Sequence, residues 1–221
     1  NLKIPIFIDN DANAACLGEY IFGAGKGVKN MVYVTVSTGI GGGIIVNGSL
    51  LHGVRDSAGE VGHQTIVPDG PLCNCGNKGC LEALSSGTAI AKRAMEEIES
   101  GKDTILKQLA KNEKITAKHV REAMLMGDEV AKEIWNKAME YLGIGIGNII
   151  TIVSPERVVI GGSIGLSGKD VIEKVKEVVK KRVFLVPVDM VDIVQAELGE
   201  DVGIYGAFAV ALVEMRNRGG D

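Results

Sequence analysis

The sequence predicts an α/β protein. Three observations carry the prediction. Short β-branched apolar runs alternate along the chain with stretches of helical periodicity. Glycine-rich turns stand at the ends of those runs, where α/β folds place their ligands. A chain of 221 residues with 46% hydrophobic content can build one large core or two small ones.

Taken in order, Ile4–Asp9 reads as a short apolar strand, and the following "NDANAACLGEYIFGAG" as a turn into a helix that stops at Gly23–Gly25. Met31–Ser37 is a buried strand by its β-branched content. Asn47-Gly48 lies between apolar runs and predicts a hairpin pairing Gly42–Val46 with Ser49–His52, because both central turn residues need positive φ. Pro68, Gly70, Pro71, Gly76 and Gly79 mark a loop. Helices are expected at Thr88–Glu99, Thr104–Lys111, Thr116–Met126 (capped by Thr116) and Glu129–Val153. Arg157–Ile164 is a strand ending in glycines, Lys169–Arg182 a helix, Met190–Ala196 a strand, and Asp201–Arg218 a helix opening on an aspartate cap. Inside the long helix stand Gly143, Gly145 and Gly147. Each costs about 1 kcal/mol against alanine, so a backbone is expected to pass too close for a Cβ.

Charge and composition exclude several classes. With 24 basic against 28 acidic residues and no basic stripe, no nucleic-acid partner is expected within the segment. Apolar runs reach only about 10 residues, too short to span a bilayer. No signal pattern is present, and four cysteines without a secretory cue predict a reducing compartment. Asn1, followed at once by an apolar stretch, is expected to be a cut through a longer protein.

Three cysteines cluster in "HQTIVPDGPLCNCGNKGCLE". His63 is followed after nine residues by Cys73, after one by Cys75 and after four by Cys80. Three thiolates and an imidazole suit a closed tetrahedral Zn²⁺ site, structural because no position is open to water. A Cys73–Cys80 or Cys75–Cys80 disulfide, or free thiols, are the alternatives. Cys16 reads as a small core hydrophobe. His52 and His119 have no partner in sequence and read as surface or loop residues.

The turn "STGIGGG" (Ser37–Gly43) offers successive backbone N–H groups to an anion, as does "IGGSIG" (Ile160–Gly165). The first is neither a P-loop nor a Rossmann fingerprint, and a tight β-turn explains it equally well. In "DNDAN", Asp11 suits a general base, while a helix cap by Asn10 or Asp11 is the competing reading. Glu60 precedes His63 by three residues and Glu82 follows Cys80 by two. Folding the metal loop is expected to bring both carboxylates together, where they suit recognition of vicinal hydroxyls.

These pieces together resemble the ROK family (repressor, open reading frame, kinase) of the actin-like sugar kinase superfamily. The resemblance runs from Ile4 to about Leu212 and is most specific in "EVGHQTIVPDGPLCNCGNKGCLE", with "NDANAA", "STGIGGG" and "VVIGGSI" in the family's order. It implies an actin-like ATPase, ribonuclease H-like fold. Residues 1–25 would be the catalytic strand, turn and helix left from a first lobe that is otherwise missing. Residues 26–221 would be the second lobe, with its zinc loop at 63–80. It further implies a hexose kinase using ATP with Mg²⁺, a homodimer in the cytoplasm, away from membranes. Asp11 would be the base on the sugar hydroxyl, and Asn10 would bind the sugar. Glu60, His63 and Glu82 would hold hydroxyls. Thr38 and Gly39 would cradle phosphates, and Gly161 and Gly162 would line the adenosine pocket. His63, Cys73, Cys75 and Cys80 would hold zinc. Two departures stand out: Ser37 replaces the family's glycine, and the amino-terminal Asp-x-Gly-Gly-Thr phosphate block is absent. Sugar-responsive repressors of the same family are the second reading, and the Asn10-Asp11 block favours the kinase.

Overall fold

The computed structural model describes residues 4–111 and 113–218. Its regular elements are α1 (Asp11–Phe22), β1 (Met31–Val36), β2 (Ile40–Val46), β3 (Ser49–Leu50), α2 (Leu81–Ser85), α3 (Gly87–Glu99), α4 (Leu106–Ala110), α5 (Ala117–Leu125), α6 (Glu129–Val153), β4 (Arg157–Gly161), α7 (Gly162–Gly165), α8 (Lys169–Arg182), β5 (Asp192–Gln195) and α9 (Val202–Arg218).

Alternation along β1 decides the layering. Val32, Val34 and Val36 point to one face, Met31 and Tyr33 to the other, and all five are buried. A strand buried on both faces needs cover on both. On the first face the valines join α3, α5, α6 and α8 in the larger core; on the second, Met31 and Tyr33 meet Cys16 of α1 and Ala209 of α9. The sheet order is β3-β2-β1-β4-β5. β1, β2 and β3 pair antiparallel; β1, β4 and β5 pair parallel. The predicted α/β class is thus a mixed sheet between helical layers. No helix among the described residues is long and apolar enough to cross a membrane.

Most predicted elements appear within a residue or two. The Asn47-Gly48 turn forms with φ of 50° and 79° and pairs Val46 with Ser49 and Ile45 with Leu50. That ladder ends before His52. Thr116 caps α5 as expected. The helix predicted at Thr104–Lys111 shortens to α4, ended by Lys111 in a left-handed conformation. The strand predicted to reach Ile164 stops at Gly161, since Gly162 at φ 80° turns the chain into α7. Val188–Met190 is a 3₁₀ turn, which delays β5, and another at Gly199–Asp201 leads into α9.

Two expectations are corrected. Ile4–Asp9 forms no strand: Ile4, Ile6 and Ile8 are 60%, 76% and 91% exposed, and none of the described strands pairs with this segment. The glycines of α6 meet side chains rather than a backbone. A Cβ on Gly143 would lie 2.6 Å from Val178 Cβ, and one on Gly145 2.6 Å from Leu81 Cδ2. Gly147 is less crowded, with Val183 Cγ2 at 3.3 Å from such an atom.

Close approach also explains β2. A Cβ on Gly43 would sit 2.5 Å from Cys16 Cβ of α1, and one on Gly42 2.7 Å from Val61 Cγ2. The bare strand therefore draws α1 and the 59–63 segment against the sheet, which sets up the site.

Candidate functional site

Asn10 caps α1: its side-chain oxygen accepts from the N–H groups of Ala12 (2.8 Å) and Asn13 (3.3 Å). The capping role therefore falls to Asn10 and leaves Asp11, at the first helical position, uncommitted; no hydrogen bond to its carboxylate forms among the described residues. Cys16 is fully buried in α1, as expected, and burial pushes its thiol well above the ordinary range.

The glycine-rich turn between β1 and β2 is held from behind. The Ser37 and Thr38 carbonyls accept from the N–H groups of Gly87 (2.7 Å) and Thr88 (3.3 Å) at the start of α3. Thr88 Oγ1 also donates to the Thr38 carbonyl at 2.9 Å. With its carbonyls tied back to α3, the turn leaves the Thr38 and Gly39 N–H groups without acceptors among the described residues, the arrangement that binds anions.

The cysteine segment folds into a tight double turn that ends at Cys80, the residue before α2. Cys73 N–H donates to the Asn77 carbonyl (2.8 Å), and Gly79 adopts φ 66° where a Cβ would collide with the Val67 carbonyl. His63, Cys73, Cys75 and Cys80 converge, with one donor atom of each lying within 4.8 Å of all the others. Cys75 and Cys80 sulfurs are 3.7 Å apart, and Cys73 Sγ is 3.6 Å from His63 Nδ1. These separations exceed a disulfide bond, roughly 2.0 Å. They match the edges of a tetrahedron around a metal bound at roughly 2.3 Å to sulfur and 2.0–2.1 Å to nitrogen. Burial, then contact with Cys75 and Cys73, pushes the Cys80 thiol up to about 12. A divalent cation would take the place of that proton. The donor set fits the metal expected from the sequence.

Glu82, on the first turn of α2, reaches from this loop to the glycine-rich turn. Its Oε2 accepts from the Ile40 N–H at 3.0 Å, and only a glycine at position 39 admits it, since a Cβ there would lie 2.6 Å from the same oxygen. Glu60 Oε2 is 3.9 Å from His63 Nε2, on the opposite side of the imidazole from the cysteines.

Asn10, Asp11, Thr38, Gly39, Glu60, His63 and Glu82 all line one cavity of about 370 Å³. The structure thus gathers every predicted sugar-side residue, with the two phosphate residues, around one space. A second cavity of about 780 Å³ opens beside it, and Ser37 and Thr38 line both. Gly161 and Gly162 do not line the larger space. Gly161 backs onto the Tyr33 ring and Gly162 onto the Val36 carbonyl, while Ser163, Ile164 and Ser167 just beyond form the wall. Ser37 Oγ is 3.1 Å from Ser163 Oγ, which joins the two glycine-rich turns.

The sequence reading missed most of the larger cavity. Lys92 of α3, Lys114, Lys118 and Arg121 around α5, and Trp135 of α6 line it, with no acidic residue among the lining. Arg121 lies 4.9 Å above the Trp135 ring and pairs with Asp170, whose carboxyl the guanidinium holds below its ordinary range. Arg121 Nε and Trp135 Nε1 are buried without partners among the described residues. His52 is a loop residue with its side chain 43% exposed, and His119 lies at the surface on α5, as expected; the structure adds a partner for each. His52 Nε2 is 3.2 Å from Asp9 Oδ2, and His119 completes the capping box of α5 with Thr116. A surface groove of about 660 Å³ between α6 and α8 carries none of the predicted residues, and its Lys137–Glu140 and Lys174–Glu177 neighbours pair with each other.

A mixed sheet with two cavities meeting at a glycine-rich turn, one lined by His63 of the Cys₃His cluster, defines the class to which this chain belongs. It is a member of the ROK family, whose model matches residues 1–214. The chain is 41% identical over 209 residues to a glucokinase from Halalkalibacterium halodurans, covering 92% of this chain and 62% of that protein. It is 32% identical over 213 residues to a xylose repressor from Caldicellulosiruptor bescii, covering 96% of this chain and 53% of that one. Among solved structures it superposes on a ROK family glucokinase from Streptomyces griseus, in complex with glucose and AMPPNP, with a TM-score of 0.82 and 33% identity, covering 92% of this chain and 67% of that one. The fold is that of the actin-like ATPases. The chain spans under two thirds of the length of the curated relatives at its level of similarity.

Proposed function

We propose that this chain forms the sugar site and most of the nucleotide site of an ATP-dependent hexose kinase, with glucose the first candidate substrate. One observation carries the reading: Ser37 and Thr38 line both cavities, so a phosphate held in the larger space meets a hydroxyl held in the smaller one. The basic, acid-free lining of the larger cavity suits a polyphosphate, and the carboxylates of the smaller one suit hydroxyls. The glucokinase relatives support the same pairing.

In this reading Asp11 accepts the proton of the attacking hydroxyl. Asn10, whose Oδ1 is spent on the helix, donates to the sugar through Nδ2. The Thr38 and Gly39 N–H groups, with the Mg²⁺ that accompanies ATP, stabilise charge on the transferred phosphoryl group. Zn²⁺ would be held by His63 Nδ1, Cys73, Cys75 and Cys80 and supplies no chemistry beyond fixing the loop. With Nδ1 so engaged, a neutral His63 keeps its proton on Nε2 and is a donor on the side of Glu60. Residues 26–221 then correspond to a second lobe and residues 1–25 to the edge of a first.

A sugar-responsive repressor is the second reading, favoured by the xylose repressor relative that matches 96% of the chain. A coupled kinase assay on the full-length protein over a panel of hexoses, with zinc measured alongside, decides between them. Hexose-dependent ADP formation is expected; sugar binding without turnover overturns the kinase reading.

A further inference from the structure

We propose that His52 is a positioning residue that braces the two carboxylate-bearing segments of the smaller cavity against each other, an inference that rests on the sugar-site reading above. His52 lies just beyond β3 and touches both segments with different atoms. Its ring Nε2 is 3.2 Å from Asp9 Oδ2, one residue before the Asn10-Asp11 turn. Its main-chain carbonyl accepts from the Ala58 N–H at 2.9 Å, two residues before Glu60.

Both ends of the brace are built. The Asp9 side chain is only 10% exposed, so its carboxylate needs partners for both oxygens. Oδ1 accepts from the Asn10 N–H at 2.8 Å and from Asn13 Nδ2 at 3.1 Å, which fixes the backbone of the helix cap. Oδ2 is left to His52. At the other end, the His52–Ala58 bond closes a short loop in which Arg55 and Asp56 both adopt positive φ, at 54° and 57°. Non-glycine residues hold that conformation only where the surroundings impose it. Opening the closure would release the chain that carries Gly59 and Glu60. A half-exposed His–Asp pair on its own is worth little. Here the pair ties the segment bearing the proposed base to the segment bearing a proposed sugar ligand, and ångström-scale misplacement of such groups costs roughly two orders of magnitude in rate.

The test uses the full-length protein with His52→Ala, His52→Gln, Asp9→Ala and the Asp9→Ala/His52→Ala double variant. Turnover, KM for glucose, KM for ATP and Tm are measured for each. We expect His52→Ala to lower kcat about tenfold and to raise the glucose KM while the ATP KM stays put, a split that a general loss of stability does not produce. Glutamine can donate to Asp9 from its side-chain N–H, so His52→Gln recovers most of the loss. The double variant is no worse than Asp9→Ala, because both changes cut one tether. Unchanged kcat and glucose KM in His52→Ala, or a glutamine variant no better than the alanine one, overturn the brace. A wild-type protein that binds glucose without phosphorylating it removes the kinase reading alone. The brace is then read from glucose affinity, and unchanged affinity in His52→Ala overturns it. A wild-type protein that neither binds nor phosphorylates a hexose overturns both.

Discussion

Glu82 Oε2 accepts a hydrogen bond from the Ile40 N–H at 3.0 Å. That bond joins the end of the cysteine loop to the turn on which the two cavities meet. The cysteine loop and the glycine-rich turn are therefore tied together, although they lie far apart in the chain.

Metal removal should accordingly be felt twice. Stripping zinc with a chelator, or Cys75→Ser, is expected to weaken glucose binding roughly tenfold or more and to lower Tm, since the loop that aims Glu60, His63 and Glu82 loses its anchor. Through Glu82 the ATP KM should rise as well. Calorimetric titration of the stripped protein checks this; normal glucose affinity without metal would leave the Cys₃His cluster with no role in the site.

Asp11→Asn should abolish most turnover and spare sugar binding. The carboxylate takes part in none of the capping bonds of α1, so the substitution leaves the helix intact. General bases contribute roughly 10²–10⁴ in rate. Turnover within about tenfold of wild type would show that the proton goes elsewhere.

Neutralising Lys114 and Lys118 together should raise the ATP KM about tenfold, as each exposed cation contributes at most about 1 kcal/mol. Glucose KM should not move, and the effect should shrink at high salt. Equal changes in both constants would place the nucleotide outside the 780 Å³ cavity.

The glycines of α6 give a test of packing alone. Gly143→Ala gains about 1 kcal/mol of helix propensity but drives a Cβ to 2.6 Å from Val178, an overpacking expected to cost about 1–3 kcal/mol. Gly147→Ala meets Val183 only at 3.3 Å and should be neutral or stabilising. Thermal melts of the two variants should therefore move apart, with Gly143→Ala the lower by several degrees. If the two move together, α8 yields freely.

What could be read from the sequence follows the range of the interactions. The Cys₃His cluster and the Asn47-Gly48 turn depend on residues close in sequence, and both were legible; the helix cap was legible only as Asn10 or Asp11. The glycines of α6 signalled a close neighbour without saying whether it was backbone or side chain. His52 gave no sign of its role, because Asp9 lies 43 positions away. The lysines of the larger cavity were equally silent: on α3 and around α5 they have the spacing of an ordinary solvated face. Ile4–Asp9 has a strand's composition, yet composition supplies no ladder, and no described strand pairs with it.

The order of assembly follows from the same contrast. His63 to Cys80 is a short stretch, and closing it costs little chain entropy. β1 must wait for β4, since Met31 pairs with Arg157. Contacts that distant in sequence form slowly. The cysteine loop can therefore take shape on the nascent chain before the sheet that will hold it exists. On the proposed zinc reading, metal supply during synthesis, rather than after it, would then govern how much of the protein reaches its final form.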